Sequence, residues 1–243
     1  MIKKKIKNSG DNIKKNRSDW SFKGSVFKNF DTHIGKSVPL YKETHDLYLK
    51  LSDFFLQEES KVVDIGCSTG TFLSKVYDRH HKNSKKIKFE GIDNVAEMIR
   101  FCKSKNKNKK NLKFILGDVF KRNIKNSCII SSFYTIQFIS QKKRQILINK
   151  IYKNLNWGGA FFMVEKVRGP DARFQDILNQ TYMEYKLSKG YTPDQIINKS
   201  SSLKSVLEPF SSKGNLDLLK RAGFKDIICI FKYTCFEGIL AIK

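Results

Sequence analysis

The stretch Lys61-Val-Val-Asp-Ile-Gly-Cys-Ser-Thr-Gly-Thr-Phe-Leu73 decides how the chain folds. Two valines lead an apolar run to Asp64, and Gly66 and Gly70 then interrupt it. Apolar residues at helical spacing follow. This order predicts a buried parallel strand, a tight glycine turn and a helix whose first N–H groups can bind a polar or anionic ligand. An ordinary strand–helix connection shows the same glycine spacing, so the turn alone assigns no ligand.

Acidic residues stand where the next two strands are predicted to end. Asp93 follows the run 87–92, and Asp118 follows the run 112–117. The carboxyl ends of parallel strands share one edge of an open α/β sheet, where such sheets bind their ligands. A carboxylate roughly 20–25 residues beyond a glycine turn is suited to accept both hydroxyls of a ribose. The pattern therefore predicts a site for an adenosine-containing ligand at this edge.

The turn Asp64-Ile-Gly-Cys-Ser-Thr-Gly70 resembles the nucleoside-binding motif of class I S-adenosylmethionine (SAM) dependent methyltransferases. It lacks the Gly-x-Gly-x-x-Gly of a dinucleotide-binding turn. Five alternations of strand and helix followed by two paired strands also match that fold. We therefore expect a Rossmann-like α/β domain with a seven-stranded, mostly parallel sheet, a C-terminal antiparallel hairpin and a helical insertion after strand five.

Length and composition set the domain organisation. The chain has 243 residues, which is enough for one large domain with its own core. Residues 1–19 are polar and basic without hydrophobic periodicity, and this predicts a flexible basic tail. The methyltransferase domain is then expected over 20–243, with the helical insertion at about 167–212.

Cysteine usage and hydropathy favour a cytoplasmic protein. The five cysteines show neither paired spacing nor metal-ligand spacing, so we expect a reducing compartment and no metal site. The apolar runs are strand-sized, far short of the roughly 20 residues that a membrane helix needs. The sequence therefore gives no reason to expect a membrane partner.

The net charge of +24 raises the question of a nucleic-acid partner. The 47 basic residues are 39 Lys and 8 Arg, although Arg is better suited to bidentate phosphate contacts. The lysines gather in the tail and loops and do not alternate with aromatic residues, as a groove for single-stranded nucleic acid would require. A solvated lysine-rich surface is favoured, and an RNA-modifying methyltransferase stays open as one alternative.

A longer series of motifs resembles the carboxy-S-adenosyl-L-methionine (carboxy-SAM) synthase family. In chain order, the motifs are Ser37-Val-Pro-Leu-Tyr41, Asp64-Ile-Gly-Cys-Ser68, His80-His81, Gly91-Ile-Asp-Asn94, Thr135-Ile-Gln-Phe138, Gly158-Gly-Ala160, Glu165-Lys166, Gly190-Tyr191 and Ala222-Gly-Phe224. The resemblance implies a homodimer, which we expect to form through the helical insertion. It also implies an enzyme that converts SAM and prephenate into carboxy-SAM and phenylpyruvate, supplying a carboxymethyl donor for a wobble uridine in tRNA.

The resemblance further implies, by position, which residues contact SAM or carboxy-SAM. They are Tyr41, Asp64, Gly66, Cys67, Ser68, Gly70, Asp93, Asn94, Asp118, Val119 and Phe133. Asp93 would hold the ribose, and Asp118 with the Val119 amide would hold the adenine edge.

The sequence departs from the family at two positions. Ser200 stands where the family has an Arg that grips the added carboxylate, and Phe133 stands where it has an Asn. A hydroxyl cannot replace the charge-assisted fork that a guanidinium makes with a carboxylate. The neighbouring Lys199 could supply a point charge in its place.

These departures lead to the hypothesis of a SAM-dependent methyltransferase that acts on a small metabolite, sugar or natural product. Glu165 and His33 are candidates for a general base, although structural roles at a strand end and in a turn are at least as well supported. Lys166, with Lys199 and Ser200, is a candidate for binding an acidic acceptor. The alternative is a carboxy-SAM synthase that works through Lys199 and depends on prephenate.

Overall fold

The protein, a computed structural model, is described for residues 7–11, 13–24, 26–82 and 86–243. The strands are β1 Lys7–Asn8, β2 Lys14–Lys15, β3 Lys61–Ile65, β4 Lys88–Asp93, β5 Leu112–Leu116, β6 Ser127–Phe133, β7 Leu155–Lys166, β8 Asp226–Tyr233 and β9 Phe236–Ile242. The α-helices are α1 Val26–Ser37, α2 Tyr41–Leu51, α3 Thr71–His80, α4 Ala96–Lys105, α5 Gln141–Asn154, α6 Ala172–Ser188, α7 Pro193–Ser202 and α8 Ser212–Ala222. Strand β3 coincides with the strand predicted from the opening stretch.

Strands β3 to β9 form one seven-stranded sheet in the order β5-β4-β3-β6-β7-β9-β8. The five neighbouring strands β5, β4, β3, β6 and β7 are parallel to one another. Strand β9 is antiparallel to both β7 and β8. This confirms the predicted Rossmann-like class I methyltransferase fold with its C-terminal antiparallel hairpin. Strand β3 lies between β4 and β6, so the strand order reverses there. Ligands of open α/β sheets bind beyond the carboxyl ends of the strands at such a point.

Alternate residues of β3 belong to two cores, one on each face of the sheet. Val62 packs in the core that contains Tyr48 of α2 and Leu73 of α3. Val63 packs in the opposite core with Leu147 of α5. All five side chains are fully buried. Helices on both faces therefore fix the strand from which the glycine turn leaves.

The N-terminal segment differs from the flexible tail expected over 1–19. Residues 1–6 lie outside the described residues, but β1 and β2 pair antiparallel. Ile13 and Trp20 are buried in a third apolar cluster, and the Trp20 backbone N–H donates to the Ser202 carbonyl of α7 at 3.1 Å. The described part of the segment is thus ordered. A window of local periodicity cannot detect this, because the partners lie far along the chain.

The helical insertion contains α6 and α7 and precedes α8, as predicted. Helix α6 carries two apolar side chains, Phe174 and Ile177, that are 51% and 50% exposed. Among the described residues, no helix is long and apolar enough to cross a membrane. Helix α7 brings Lys199 to the same cavity as the ends of β3 and β4.

Candidate functional site

The turn between β3 and α3 adopts left-handed backbone conformations at three residues. Gly66, Ser68 and Gly70 have φ angles of +71°, +49° and +72°. A Cβ on Gly66 would collide with the Thr135 side chain, so this position requires glycine. A non-glycine residue such as Ser68 rarely adopts this conformation, and such residues cluster at ligand sites.

Asp93 at the end of β4 is joined directly to this turn. Its carboxylate accepts the backbone N–H groups of Ser68 and Val95, each at 2.9 Å. Burial raises the pKa of Asp93, and the two backbone hydrogen bonds oppose the shift by stabilising the charged form. Each carboxylate oxygen keeps a further lone pair, so Asp93 can still accept two hydroxyl groups from a ligand.

A cavity of about 490 Å³ opens beyond these strand ends, within the size range of small-molecule sites. The predicted SAM-contacting residues that line it are Gly66, Ser68, Asp93, Asn94, Asp118, Val119 and Phe133. Three predicted candidates for catalysis or substrate binding, His33, Lys166 and Lys199, line it as well. The topology therefore brings together residues from β3, β4, β6, β7, α1 and α7.

Four other predicted SAM-contacting residues lie behind the cavity wall. Tyr41 packs on Tyr134, a lining residue, with ring centroids 6.1 Å apart. Cys67 and Gly70 shape the turn, because the Gly70 N–H donates to the Cys67 carbonyl at 2.8 Å. Asp64 lies deeper, within the sheet.

Asp64 is buried inside the sheet and accepts a hydrogen bond from the Ser131 hydroxyl at 2.7 Å. Burial raises the pKa of Asp64 to about 7, partly opposed by the Ser131 hydrogen bond. The carboxyl therefore ties β3 to β6 beneath the turn. Its contribution to the site is to fix the strand pair that supports Gly66.

Glu165, a candidate general base, has a structural role. One of its carboxylate oxygens accepts the N–H groups of Thr135 and Ile136 at 3.2 and 2.9 Å, and the other accepts the Gln137 N–H at 3.0 Å. Burial raises the pKa of Glu165 to about 8 against the effect of these bonds. The side chain is occupied in capping a short helical turn whose residues line the cavity, and it does not line the cavity itself.

The opposite end of the cavity is strongly basic. Lys199 is buried on α7, and its Nζ lies 2.6 Å from His33 Nε2 and donates to Ser37 Oγ at 2.7 Å. Burial, and after it the nearby charge of Lys186, lowers the pKa of Lys199 well below its usual value. Ser200, the other predicted substrate contact on this helix, is exposed and outside the lining.

Two further lysines act on Lys199, the half-buried Lys166 and the buried Lys186. The ammonium groups of Lys166 and Lys186 lie 4.5 and 4.2 Å from the ring centroid of Tyr182. Burial and the charge of Lys166 lower the pKa of Lys186 to about 7. Among the described residues, no Asp or Glu forms an ion pair with any of these three ammonium groups.

Sequence reasoning missed several residues of this basic end. Trp20 lines the cavity and stacks on His33 with centroids 5.9 Å apart, while Asp11 and Tyr191 hydrogen-bond to the same histidine. Lys186 was indistinguishable from the many surface lysines. The only signal for Tyr191 was its place in one motif, and nothing local marked Asp11.

The residues present fit SAM. Asp93 and Asp118 at the strand ends offer carboxylates to an adenosine, and buried Ile92 and Val119 supply apolar walls beside them. The narrow turn at Gly66 lets a ligand approach backbone N–H groups closely. The lysine-rich end lies across the same cavity, where it can meet a negatively charged group.

Sequence comparisons match most of the chain to known methyltransferase-family proteins. Residues 56–223 match the family model described as a methyltransferase domain. The carboxy-S-adenosyl-L-methionine synthase of Staphylococcus epidermidis is 39% identical over 229 residues, covering 94% of this chain and 99% of the relative. The enzyme of the same name from Campylobacter jejuni is 37% identical over 238 residues, covering 93% and 95%.

Comparisons with solved structures support the fold. A putative O-methyltransferase from Nostoc punctiforme superposes with a TM-score of 0.63 at 16% identity, covering 90% of this chain and 60% of the other. Human N-acetylserotonin methyltransferase in complex with SAM gives a TM-score of 0.58 at 18% identity, covering 89% and 55%. At these identities, the likeness concerns the architecture.

Proposed function

The chain belongs to the carboxy-S-adenosyl-L-methionine synthase family of SAM-dependent methyltransferases, and we propose that it converts SAM and prephenate into carboxy-SAM and phenylpyruvate. The observation that carries this proposal is the buried Lys199 ammonium at the cavity wall, without an ion-paired carboxylate in the described part of the chain. Burying an unpaired cation is costly, so a site that keeps one is suited to an anionic ligand. Prephenate has carboxylate groups, and carboxy-SAM has one carboxylate more than SAM.

We expect the two ends of the cavity to bind different groups. Asp93 and Asp118 would hold the adenosine, and SAM, when bound, supplies a methyl carbon activated by its positively charged sulfur. Lys199 and Lys166 would orient the carboxylates of the second substrate from the opposite side. Phe133 supplies an aromatic wall between these ends and restricts water there.

Lys199 would take over the task of the family's Arg. Ser200 is exposed, whereas Lys199 faces the cavity from the same turn of α7. A lysine gives a point charge with three donors in place of a bidentate fork, so its geometric selection of carboxylates is weaker. Because Lys199 still places a basic group at the cavity wall and the relatives are carboxy-SAM synthases, we favour carboxy-SAM synthesis over the broader hypothesis of a small-molecule methyltransferase.

The test is to incubate the purified protein with SAM, with and without prephenate, and to detect carboxy-SAM by mass. We expect the product only when prephenate is present. The Lys199→Met variant should lower kcat/KM for prephenate at least about thirtyfold, because truncating one partner of a buried charge pair costs roughly 2 kcal/mol or more. Lys204→Met is the matched control, because Lys204 is exposed just beyond the same helix.

Either of two results would contradict the proposal. If the protein binds SAM and forms no carboxy-SAM, a methyl acceptor among small metabolites, sugars or natural products becomes the better hypothesis. If Lys199→Met and Lys204→Met behave alike while the product forms, the carboxylate is held by another group.

The proposal includes a homodimer formed through α6. Phe174 and Ile177 lie one helical turn apart on this helix and are half exposed, which is unusual for large apolar side chains one turn apart. Met183 and Leu187, toward the end of the helix, are also exposed apolar side chains. A second copy of the chain would cover this surface, as the family resemblance implies.

A further inference from the structure

A closed hydrogen-bond network surrounds the Lys199 ammonium, and both of its branches end on one carboxylate. In the first branch, Lys199 contacts His33 Nε2, and His33 Nδ1 lies 2.7 Å from Asp11 Oδ2. In the second, Lys199 donates to Ser37 Oγ, which lies 3.0 Å from the Tyr191 hydroxyl. That hydroxyl in turn donates to Asp11 Oδ2 at 2.8 Å.

With Lys199 protonated and Asp11 ionised, the two ends set the direction of every hydrogen bond in the network. A lysine ammonium only donates, and an ionised aspartate only accepts. His33 must therefore be neutral, with its proton on Nδ1 and its Nε2 lone pair facing Lys199. The Ser37 hydroxyl must donate to Tyr191, and Tyr191 to Asp11. Lys199 uses two of its three N–H groups in this way, and the third has no hydrogen-bond partner among the described residues.

Burial and the surrounding charges together decide the protonation of Lys199. Burial lowers its pKa most, Lys186 on α6 and Lys166 at the end of β7 lower it further, and Asp11 in the N-terminal segment raises it. His33 is uncharged near neutral pH, because burial and Lys199 lower the pKa of its imidazole to about 4. Asp11 is thus a negative charge that favours the protonated form of Lys199.

Asp11 itself is held in its charged form. Burial opposes ionisation, but hydrogen bonds from Lys36, Tyr191 and His33 lower its pKa overall. Lys36 contributes from the exposed side of α1, with its ammonium 3.0 Å from Asp11 Oδ1. The N-terminal segment therefore places the ionised Asp11 carboxylate beside His33 of α1, which in turn contacts Lys199 of α7.

We propose that Asp11 and His33 are positioning residues that keep Lys199 protonated and oriented to bind a ligand carboxylate. This inference rests on the proposed function, because the carboxylate is that of prephenate or carboxy-SAM. The N-terminal segment is then part of the specificity-determining machinery. Its Asp11 acts through an intervening imidazole and does not contact the substrate.

The experiment compares the wild type with Asp11→Asn, which keeps the size of the side chain and removes its charge. The first readout is the pKa of the Lys199 ammonium in lysine-labelled protein by NMR, with the resonance assigned from Lys199→Met. We expect Asp11→Asn to lower it. The second readout is the Kd of carboxy-SAM and of SAM, measured by calorimetry at about pH 6.5 and about pH 8.5.

Asp11→Asn should weaken carboxy-SAM binding at least about tenfold at the higher pH, and binding should recover at the lower pH as Lys199 is protonated again. SAM binding should change less than about twofold, which also shows that the variant is folded. Asp19→Asn is the matched control, since Asp19 is an exposed carboxylate of the same segment. It should behave as the wild type.

The two readouts separate the inference from the function on which it rests. An unchanged Lys199 pKa in Asp11→Asn, or equal carboxy-SAM binding by Asp11→Asn and the wild type at both pH values, would overturn the positioning role. A lowered Lys199 pKa in a protein whose wild type binds SAM and carboxy-SAM equally well would support the positioning of Lys199 and overturn the proposed function.

Discussion

Two histidines near the cavity show how different surroundings keep the same side chain neutral. His33 is neutral within a hydrogen-bond network that ends on Asp11. His45 lies in an aromatic group, with its ring 4.4 Å from that of Tyr41 and 5.4 Å from that of Phe133. Burial, assisted by the charge of Lys75, lowers the pKa of His45 to about 3. The neutral His33 therefore makes polar contacts, whereas the neutral His45 packs among aromatic rings.

The low pKa of His45 predicts a loss of stability in acid. Between an unfolded pKa of 6.5 and a folded pKa of about 3, the unfolded chain binds the extra proton, so the free energy of unfolding falls as the pH falls. The wild type should therefore lose about 1.4 kcal/mol per pH unit more than His45→Phe below about pH 6.5. Urea unfolding at about pH 6.5 and about pH 5 measures this difference. Parallel losses in the two proteins would show that His45 does not titrate in this way.

Among the helices and strands, those that a short stretch of sequence specifies could be predicted. The apolar run and glycines around Gly66 predicted β3, its turn and α3, and the acidic strand ends predicted Asp93 and Asp118 in the cavity lining. The N-terminal segment was unpredictable, because its order depends on docking against α7. The same reason hid the basic end of the cavity, where Lys186 looks like any other lysine until the fold buries it.

Trp20 fixes the N-terminal segment to the domain, and this gives a prediction about that element. Its ring contacts those of His33 and Phe22, and the Lys199 ammonium lies 5.5 Å from it. Removing a buried Trp side chain typically costs about 3–5 kcal/mol. Trp20→Ala should therefore speed tryptic cleavage at Lys14, Lys15 and Arg17 at least about tenfold through local opening.

Phe54→Ala is the control for this experiment, because Phe54 is an aromatic residue that is 81% exposed. Its cleavage pattern should match that of the wild type. Equal cleavage of Trp20→Ala and the wild type at these three sites would mean that the segment is held by other contacts.

At the scale of the whole molecule, charge and apolar surface act in opposite directions. A net charge of +24 makes two copies of the chain repel each other. The exposed apolar face of α6 favours association by removing its surface from water. Added salt screens the repulsion and leaves the apolar contribution in place. We therefore expect the proposed dimer to become more stable as ionic strength rises.

Charging the α6 face should separate the proposed dimer. Phe174→Glu with Ile177→Glu places two carboxylates where the subunits would meet, and the double variant should sediment as a monomer in analytical ultracentrifugation. Trp157→Glu is the control, since Trp157 lies outside α6 and is 87% exposed. A wild type that sediments as a monomer, or a double variant that stays dimeric, would contradict the α6 interface.

The contact between Asp11 and Tyr191 joins residues that are 180 positions apart, and this separation orders events during synthesis. A growing chain emerges from the ribosome with its N-terminal segment first. Asp11 can therefore contact Tyr191 only after most of the domain has been translated. The turn at Gly66 and the strand end at Asp93 are available much earlier. The nucleoside half of the site can thus take shape on the nascent chain, while the half that recognises carboxylates is completed only near the end of translation.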